Sequence, residues 1–204
     1  MDTNNMQTGN TSPKRRLPQI SYNAPVVLTF AIISLIALIL DQLTEGKVNQ
    51  LLFSVYRAPA DNFFYYFRLF GHCLGHANWT HFSGNMMLFL LLGPILEEKY
   101  GSKDLLFMIV ITSVVSGLAN ILFFKNVALL GASGIVFMMI ILTSASCIKD
   151  KRIPLTMILI IIIYLGAEIW DGLFAKDNIS QLTHIIGGLC GAVFGLVAAR
   201  PDKE

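Results

Sequence analysis

Charge is what this sequence has least of. Asp, Glu, Lys and Arg together make up 14% of its 204 residues, where an ordinary soluble domain carries about 25%. Hydrophobic residues reach 54% and the mean hydropathy is +0.63, which excludes both a disordered chain and a normal water-soluble fold. A net charge of +2 supplies no basic field for a polyanion, so no nucleic-acid partner is expected. Cys73, Cys147 and Cys190 are too few and too scattered for a disulfide framework or a zinc motif, and read as free buried thiols. Residues 1–23 lack a positive segment joined to a cleavable apolar stretch, so they read as a disordered cytoplasmic tail rather than a signal peptide. No internal repeat is evident. What these absences leave is a small integral membrane protein.

The apolar residues collect in six blocks, 25–40, 81–96, 105–124, 131–148, 153–170 and 182–199. A spanning helix needs roughly 20 apolar residues. The last four blocks meet that length and the first two must borrow flanking residues, so six spans are expected. Orientation follows from the basic residues. With the N-terminus inside, the inner segments hold ten of the fifteen Lys and Arg residues, and Lys47, Arg57, Arg68, Lys125 and Lys176 lie outside. That bias puts both termini in the cytoplasm. The segment 41–78 is too long for a simple connector and carries the aromatic run 63–67, so amphipathic structure at the outer interface is expected there.

Polar residues inside such blocks are costly and therefore informative. Ser133 lies seven residues beyond Asn126, and His184 seven beyond Asp177, both at outer ends of spans. At helical rise each would sit on the order of 10 Å below the outer boundary. His81 and Asn85 are one helical turn apart at the outer end of the second span and share a face. A hydroxyl, an imidazole and an imidazole–amide pair at one level are what nucleophilic acyl transfer requires. Gly131 and Gly134 flank the serine, where a bent backbone would expose N–H groups. The plainer account of that segment is close helix contact, with Ser133 bonded back to its own helix. Gly187, Gly191 and Gly195 follow His184 at four-residue steps and would let the sixth span approach a neighbour closely.

Metal binding is the weaker chemistry. His72 and His76 have i, i+4 spacing, but there is no HExxH and no acidic residue lies within the spans near the histidines. Glu168 and Asp171 read as solvated interfacial charges at the outer end of the fifth span. Neither a metal nor a cofactor is expected.

The series His81-Phe82-Ser83-Gly84-Asn85, Gly131-Ala132-Ser133-Gly134, and His184 with its glycine stripe resembles the rhomboid intramembrane serine proteases, over about residues 63–199. The resemblance implies an all-α rhomboid-like bundle of six transmembrane helices over 24–200, with a short cytoplasmic tail at 201–204. It implies that Ser133 is the nucleophile and His184 the general base, without an acidic third member. His81 and Asn85 would stabilise the oxyanion together with the Ser133 N–H. His76 and His72 match first-loop histidines of bacterial members, Arg68 matches the arginine of a Trp-Arg pair, and Phe67 stands where the tryptophan would be. Phe137 occupies the aromatic position under the catalytic imidazole, and Glu97 the acidic position closing the second span on the cytoplasmic side.

The same resemblance implies cleavage of single-span membrane proteins in a lipid bilayer. The site would open to the outer face of a bacterial plasma membrane, and residues 171–181 would act as a mobile cap. A rhomboid-fold protein that binds transmembrane helices without cutting them would lack the serine or the histidine, and this chain keeps both. A small transporter would need a polar path through the membrane, whereas the inner halves of these spans are nearly free of ionisable residues.

Overall fold

The computed structural model describes residues 21–59, 61–145 and 178–198, together with Leu155, Ile158, Leu159, Ile162 and Ile163. Among the described residues, six α-helices have both ends defined, in this order: α1 (Pro25–Leu43), α2 (Phe63–Gly71), α3 (Trp79–Tyr100), α4 (Ser102–Phe123), α5 (Ser133–Ala145) and α6 (Asn178–Ala198). A π-helical turn (Asn49–Phe53) and a 3-10 turn (His72–Leu74) interrupt the segment between α1 and α3. Among the described residues there is no β-strand, only the isolated antiparallel bridge Val55–Leu129.

Each helix boundary has a local cause. Pro25 opens α1, where a missing N–H costs nothing. Ala24 offers no capping side chain, and the carboxylate of Glu97 takes its place by accepting from the N–H groups of Val26 (2.9 Å) and Val27 (3.0 Å). Its Oε1 also accepts from the hydroxyl of Ser102 at 2.6 Å. One buried carboxylate therefore ties the starts of α1 and α4 to the end of α3. Asn78 caps α3 by accepting from the His81 N–H at 2.9 Å. Gly101, at φ +85°, is the sole residue between α3 and α4. Arg57 closes α4 from outside, its Nε and Nη2 donating to the carbonyl of Ile121 and its Nη2 also to that of Leu122.

The core holds Phe89, Leu96, Leu105, Met138, Met139 and Leu142, all essentially inaccessible. Its exterior is unusual for a folded chain, because large apolar side chains such as Ile32, Ile36, Leu91, Phe107, Leu122, Leu189 and Leu196 are exposed on it. α1, α4 and the Gln181–Ala198 part of α6 are long and apolar enough to cross a membrane. The 22 residues of α3 extend roughly 33 Å, although its C-terminal end carries Glu97, Glu98 and Lys99.

Helices meet where small residues allow it. A Cβ on Gly93 would lie 2.7 Å from Cγ2 of Val27, so α1 crosses α3 there. The glycine stripe of α6 faces α5: Gly187 lies on the backbone of Gly134, Gly191 on the Met138 carbonyl, and Gly195 on the Ala145 side chain. The expected structure within 41–78 is present as α2 and the two irregular turns. Most of the expected fifth span, together with Glu168, Asp171 and Cys147, lies outside the described residues, as do residues 1–20 of the tail. The five described residues of the 153–170 block are helical and exposed. Of the segment expected to act as a cap, 178–181 belong to the first turn of α6 and the remainder is outside the described residues.

Candidate active site

Ser133 is the first residue of α5, half-buried, and reached through Gly131 and Ala132. The seven residues from Asn126 to Ala132 are not helical, so the depth expected from helical rise does not apply to the serine. Its position is set by tethers on the incoming chain. Val55 and Leu129 exchange both backbone hydrogen bonds at 2.9 Å, and the Gly131 N–H donates to the His72 carbonyl at 2.9 Å. His184 does sit within a helix, six residues after the start of α6, which places it roughly 9 Å along the axis.

Gly131 adopts φ +124°, a conformation that favours glycine. A Cβ placed there would lie 2.7 Å from Cε1 and 2.8 Å from Nε2 of His81, and 4.0 Å from Nδ2 of Asn85. The expected imidazole–amide pair therefore flanks the turn that delivers Ser133. Beyond the serine, a Cβ on Gly134 would lie 2.9 Å from the Thr183 methyl group and 3.4 Å from the Ser116 hydroxyl. The absence of side chains at Gly134 and Gly187 lets α6 lie directly on the first turn of α5. The Phe137 and His184 rings stack at 4.2 Å with an interplanar angle of 4°. These contacts gather Ser133, His184, His81, Asn85, Gly131, Gly134 and Phe137 into one neighbourhood. The N–H groups of the first turn of α5 have no intrahelical acceptors and point toward its open end.

His76 lies behind this cluster. Its ring meets that of His81 edge-on at 5.2 Å and that of Phe82 at 5.3 Å. The helix face suggested by the spacing of His72 and His76 does not exist, because the 3-10 turn ends at Leu74 and the chain then extends. Their rings instead bond separately to carbonyls, His72 Nε2 to Ser113 (3.0 Å) and His76 Nδ1 to Leu74 (3.2 Å). Among the described residues no three His, Cys, Asp or Glu side chains are placed to hold a metal. Cys73 is buried, donates to the Phe70 carbonyl, and has its thiol pushed up to about 12 by that burial.

Several supporting residues escaped the sequence reading. Asp41, near the C-terminal end of α1, accepts from the backbone N–H and the side-chain amide of Asn49, both at 2.7 Å. That amide also donates to the His76 carbonyl at 3.1 Å, so α1 is linked to the loop beneath His81. A lone carboxylate directly after the apolar run ending at Leu40 was the available signal. Arg68, known to the sequence reading only as one of a pair, is buried, donates to the Tyr56 hydroxyl at 3.1 Å and lies 4.3 Å from the centre of that ring. Phe67, in the tryptophan's place, packs against Phe53 and Phe70.

Burial holds the imidazoles of His72 and His76 down to about 4, with His81 adding to the effect at His76. In the unfolded chain both titrate near 6.5. Below that pH the unfolded state takes up protons that the folded state refuses, so stability is lost as pH falls and is restored above about 7. The expected loss between pH 7 and 5 is about 2 kcal/mol for each ring. Unfolding midpoints in neutral detergent at the two pH values check this, and His72→Gln should make the fall shallower. Equal midpoints at pH 7 and pH 5 would contradict it.

A family model described as the Rhomboid domain matches residues 64–201. The chain belongs to the rhomboid family. It is also similar to rhomboid-like protein 11, chloroplastic, of Arabidopsis thaliana, with 27% identity over 122 residues. That stretch is 59% of this chain and 40% of the relative, so the match spans about two-fifths of the relative's length. Rhomboid membership, the all-α architecture and the apolar exterior make this a multi-pass membrane protein. The relative is a chloroplastic protein, so the kinship gives no support to the expectation of a bacterial plasma membrane.

Proposed function

We propose that this rhomboid is an intramembrane serine endopeptidase that cleaves single-span membrane proteins. Six spans, both termini in the cytoplasm and an active site open to the outer face belong to the same reading, and the Lys and Arg asymmetry supports them. The observation that carries the chemistry is the contact of Gly187 with Gly134, which packs the turn bearing His184 against the turn bearing Ser133. In this reading His184 takes the Ser133 proton as the hydroxyl attacks a peptide carbonyl, and later returns it to the leaving amine. Water then hydrolyses the acyl-enzyme.

The developing oxyanion is held by the N–H of Ser133, the amide of Asn85 and the Nε2–H of His81. A contact of 3.5 Å from the Ala77 N–H to His81 Nδ1 favours the tautomer with its proton on Nε2, the atom beside Gly131. Phe137 holds the His184 ring in plane, and His76 supports His81 from behind. Suitable substrates have helix-weakening residues near their outer ends, because an intact helix hides its carbonyls in its own hydrogen bonds.

A fluorophosphonate probe tests both chemistry and orientation, since serine attack at phosphorus expels fluoride and leaves a stable ester on Oγ. Parent protein should be labelled, including by a membrane-impermeant probe on intact cells, and Ser133→Ala should not. Labelling of the alanine variant at the parent's level would remove Ser133 from the mechanism. The non-catalytic alternative, binding of transmembrane helices without cleavage, predicts no labelling of either form.

A further inference from the structure

A second polar site lies on the outer side, away from Ser133. A cavity of about 550 Å3 opens between the segment after α1 and the segment after α4, lined in part by Gln50, Ser54, Tyr56, Arg57, Lys125 and Asn126. Among the described residues its wall holds two cations and no carboxylate; Glu45, next in sequence to the lining residue Gly46, is not part of it. We propose that this cavity binds a phosphoryl group, presented as the phosphodiester of an outer-leaflet phospholipid.

Three features support an anion with several acceptor oxygens. The Arg57 guanidinium is held by the carbonyls of Ile121 and Leu122 through Nε and Nη2, which leaves the two N–H groups of Nη1 for a ligand. Such anchoring removes much of the ordering cost a free arginine would bear on binding. The Tyr56 hydroxyl accepts from Arg68 Nη1, so its own proton remains to be donated. Lys125, Gln50 and Asn126 add donors at the rim.

Position selects the phosphoryl group among anions. Lys125 lies two residues past the end of α4 at Phe123, and Gly46 three past the end of α1 at Leu43. On the orientation proposed above, both walls stand where the spans leave the hydrocarbon, at the level of the lipid headgroups. The walls are also joined to each other, since Val55 and Leu129 form the bridge between them. An occupant would therefore brace the chain four residues before Ser133. Binding is independent of peptide cleavage and can be read without it.

The experiment uses the full chain in neutral detergent at fixed ionic strength. It is titrated with phosphatidylglycerol, with a phosphate-free galactolipid of the same acyl chains, with sn-glycerol 3-phosphate, and with a glutamate-rich peptide. Bound ligand is counted by native mass spectrometry and the unfolding midpoint is followed in parallel. Phosphatidylglycerol should be retained and should raise the midpoint, while the galactolipid does neither. Lys125→Gln should weaken retention about fivefold, the loss expected for one interfacial cation, and Lys125→Glu should weaken it further. Arg57→Gln should act in the same direction, but Arg57 also closes α4, so the Lys125 variants decide. Lys103→Gln, at the other end of α4, should bind as the parent does.

Glycerol 3-phosphate that competes at similar concentration supports a free phosphate ester as the source, and competition only in large excess supports the lipid. Retention unchanged in both Lys125 variants, equal retention of the galactolipid, or preference for the acidic peptide would each overturn the proposal.

Discussion

Alanine at position 133 is expected to abolish cleavage of a model single-span substrate, with kcat/KM falling by on the order of 10^4-fold or more. The groups around it do not supply an equivalent nucleophile: His184 is an imidazole stacked flat on Phe137, and His81 and Asn85, beside Gly131, offer donors. His184→Ala should cost nearly as much, because the Ser133 hydroxyl is a poor nucleophile without a base. The double variant should be scarcely worse than either single one, because in the proposed mechanism the two residues act as a unit. Asn85→Ala and His81→Ala should be milder, each losing about 10^2- to 10^3-fold, because one of several oxyanion donors is removed. Cleavage by detergent-solubilised enzyme, with the unfolding midpoint as a control for folding, checks the series. Single losses that multiply fully in the double variant would show that Ser133 and His184 do not act together.

Valine at position 187 should uncouple α6 from α5. Any Cβ at Gly187 would overlap the Gly134 carbonyl, which is backbone and cannot rotate away. Even Gly187→Ala should destabilise the protein by about 1–3 kcal/mol through overpacking, despite the better helix propensity of alanine. Valine should exceed that and should also depress cleavage beyond its effect on folding, because His184 rides on the same helix turn. The neighbouring Gly188 supplies the control. A Cβ there would meet Cγ1 of Ile141 at 3.7 Å, an ordinary contact, so Gly188→Ala should fall within about 0.5 kcal/mol of the parent. Unfolding midpoints in detergent measure both. Equal responses at 187 and 188 would mean that the α5–α6 contact does not hold the helices together.

Polar residues are easiest to single out in sequence where a residue type has few uses in hydrocarbon. His81, Asn85, Ser133 and His184 stood out because polar groups in apolar blocks are costly. Four-residue glycine spacing indicated a helix face able to touch a neighbour, and the structure shows that neighbour to be α5. The reading failed where spacing was taken as helical without a helix to carry it. The seven residues before Ser133 and the pair His72–His76 both run through extended or 3-10 chain, so neither the assumed rise nor the assumed shared face applies. Glu97 lies near the C-terminal end of α3, and its bonds to Val26 and Val27 join segments some seventy residues apart. No local pattern announces such a bond.

By itself the sequence determined that this chain belongs in a membrane, that it is helical, and which few polar side chains fall within its apolar blocks. Those conclusions follow from composition and from the helical period, both properties of the chain read in order. Only the tertiary structure decided how those side chains meet. The placement of Gly131 beside His81, the contact of Gly134 with Gly187, and the link from Asp41 through Asn49 to His76 depend on backbone paths between distant segments. Close packing and buried hydrogen bonds act at contact range, so they become visible only once the helices are in place.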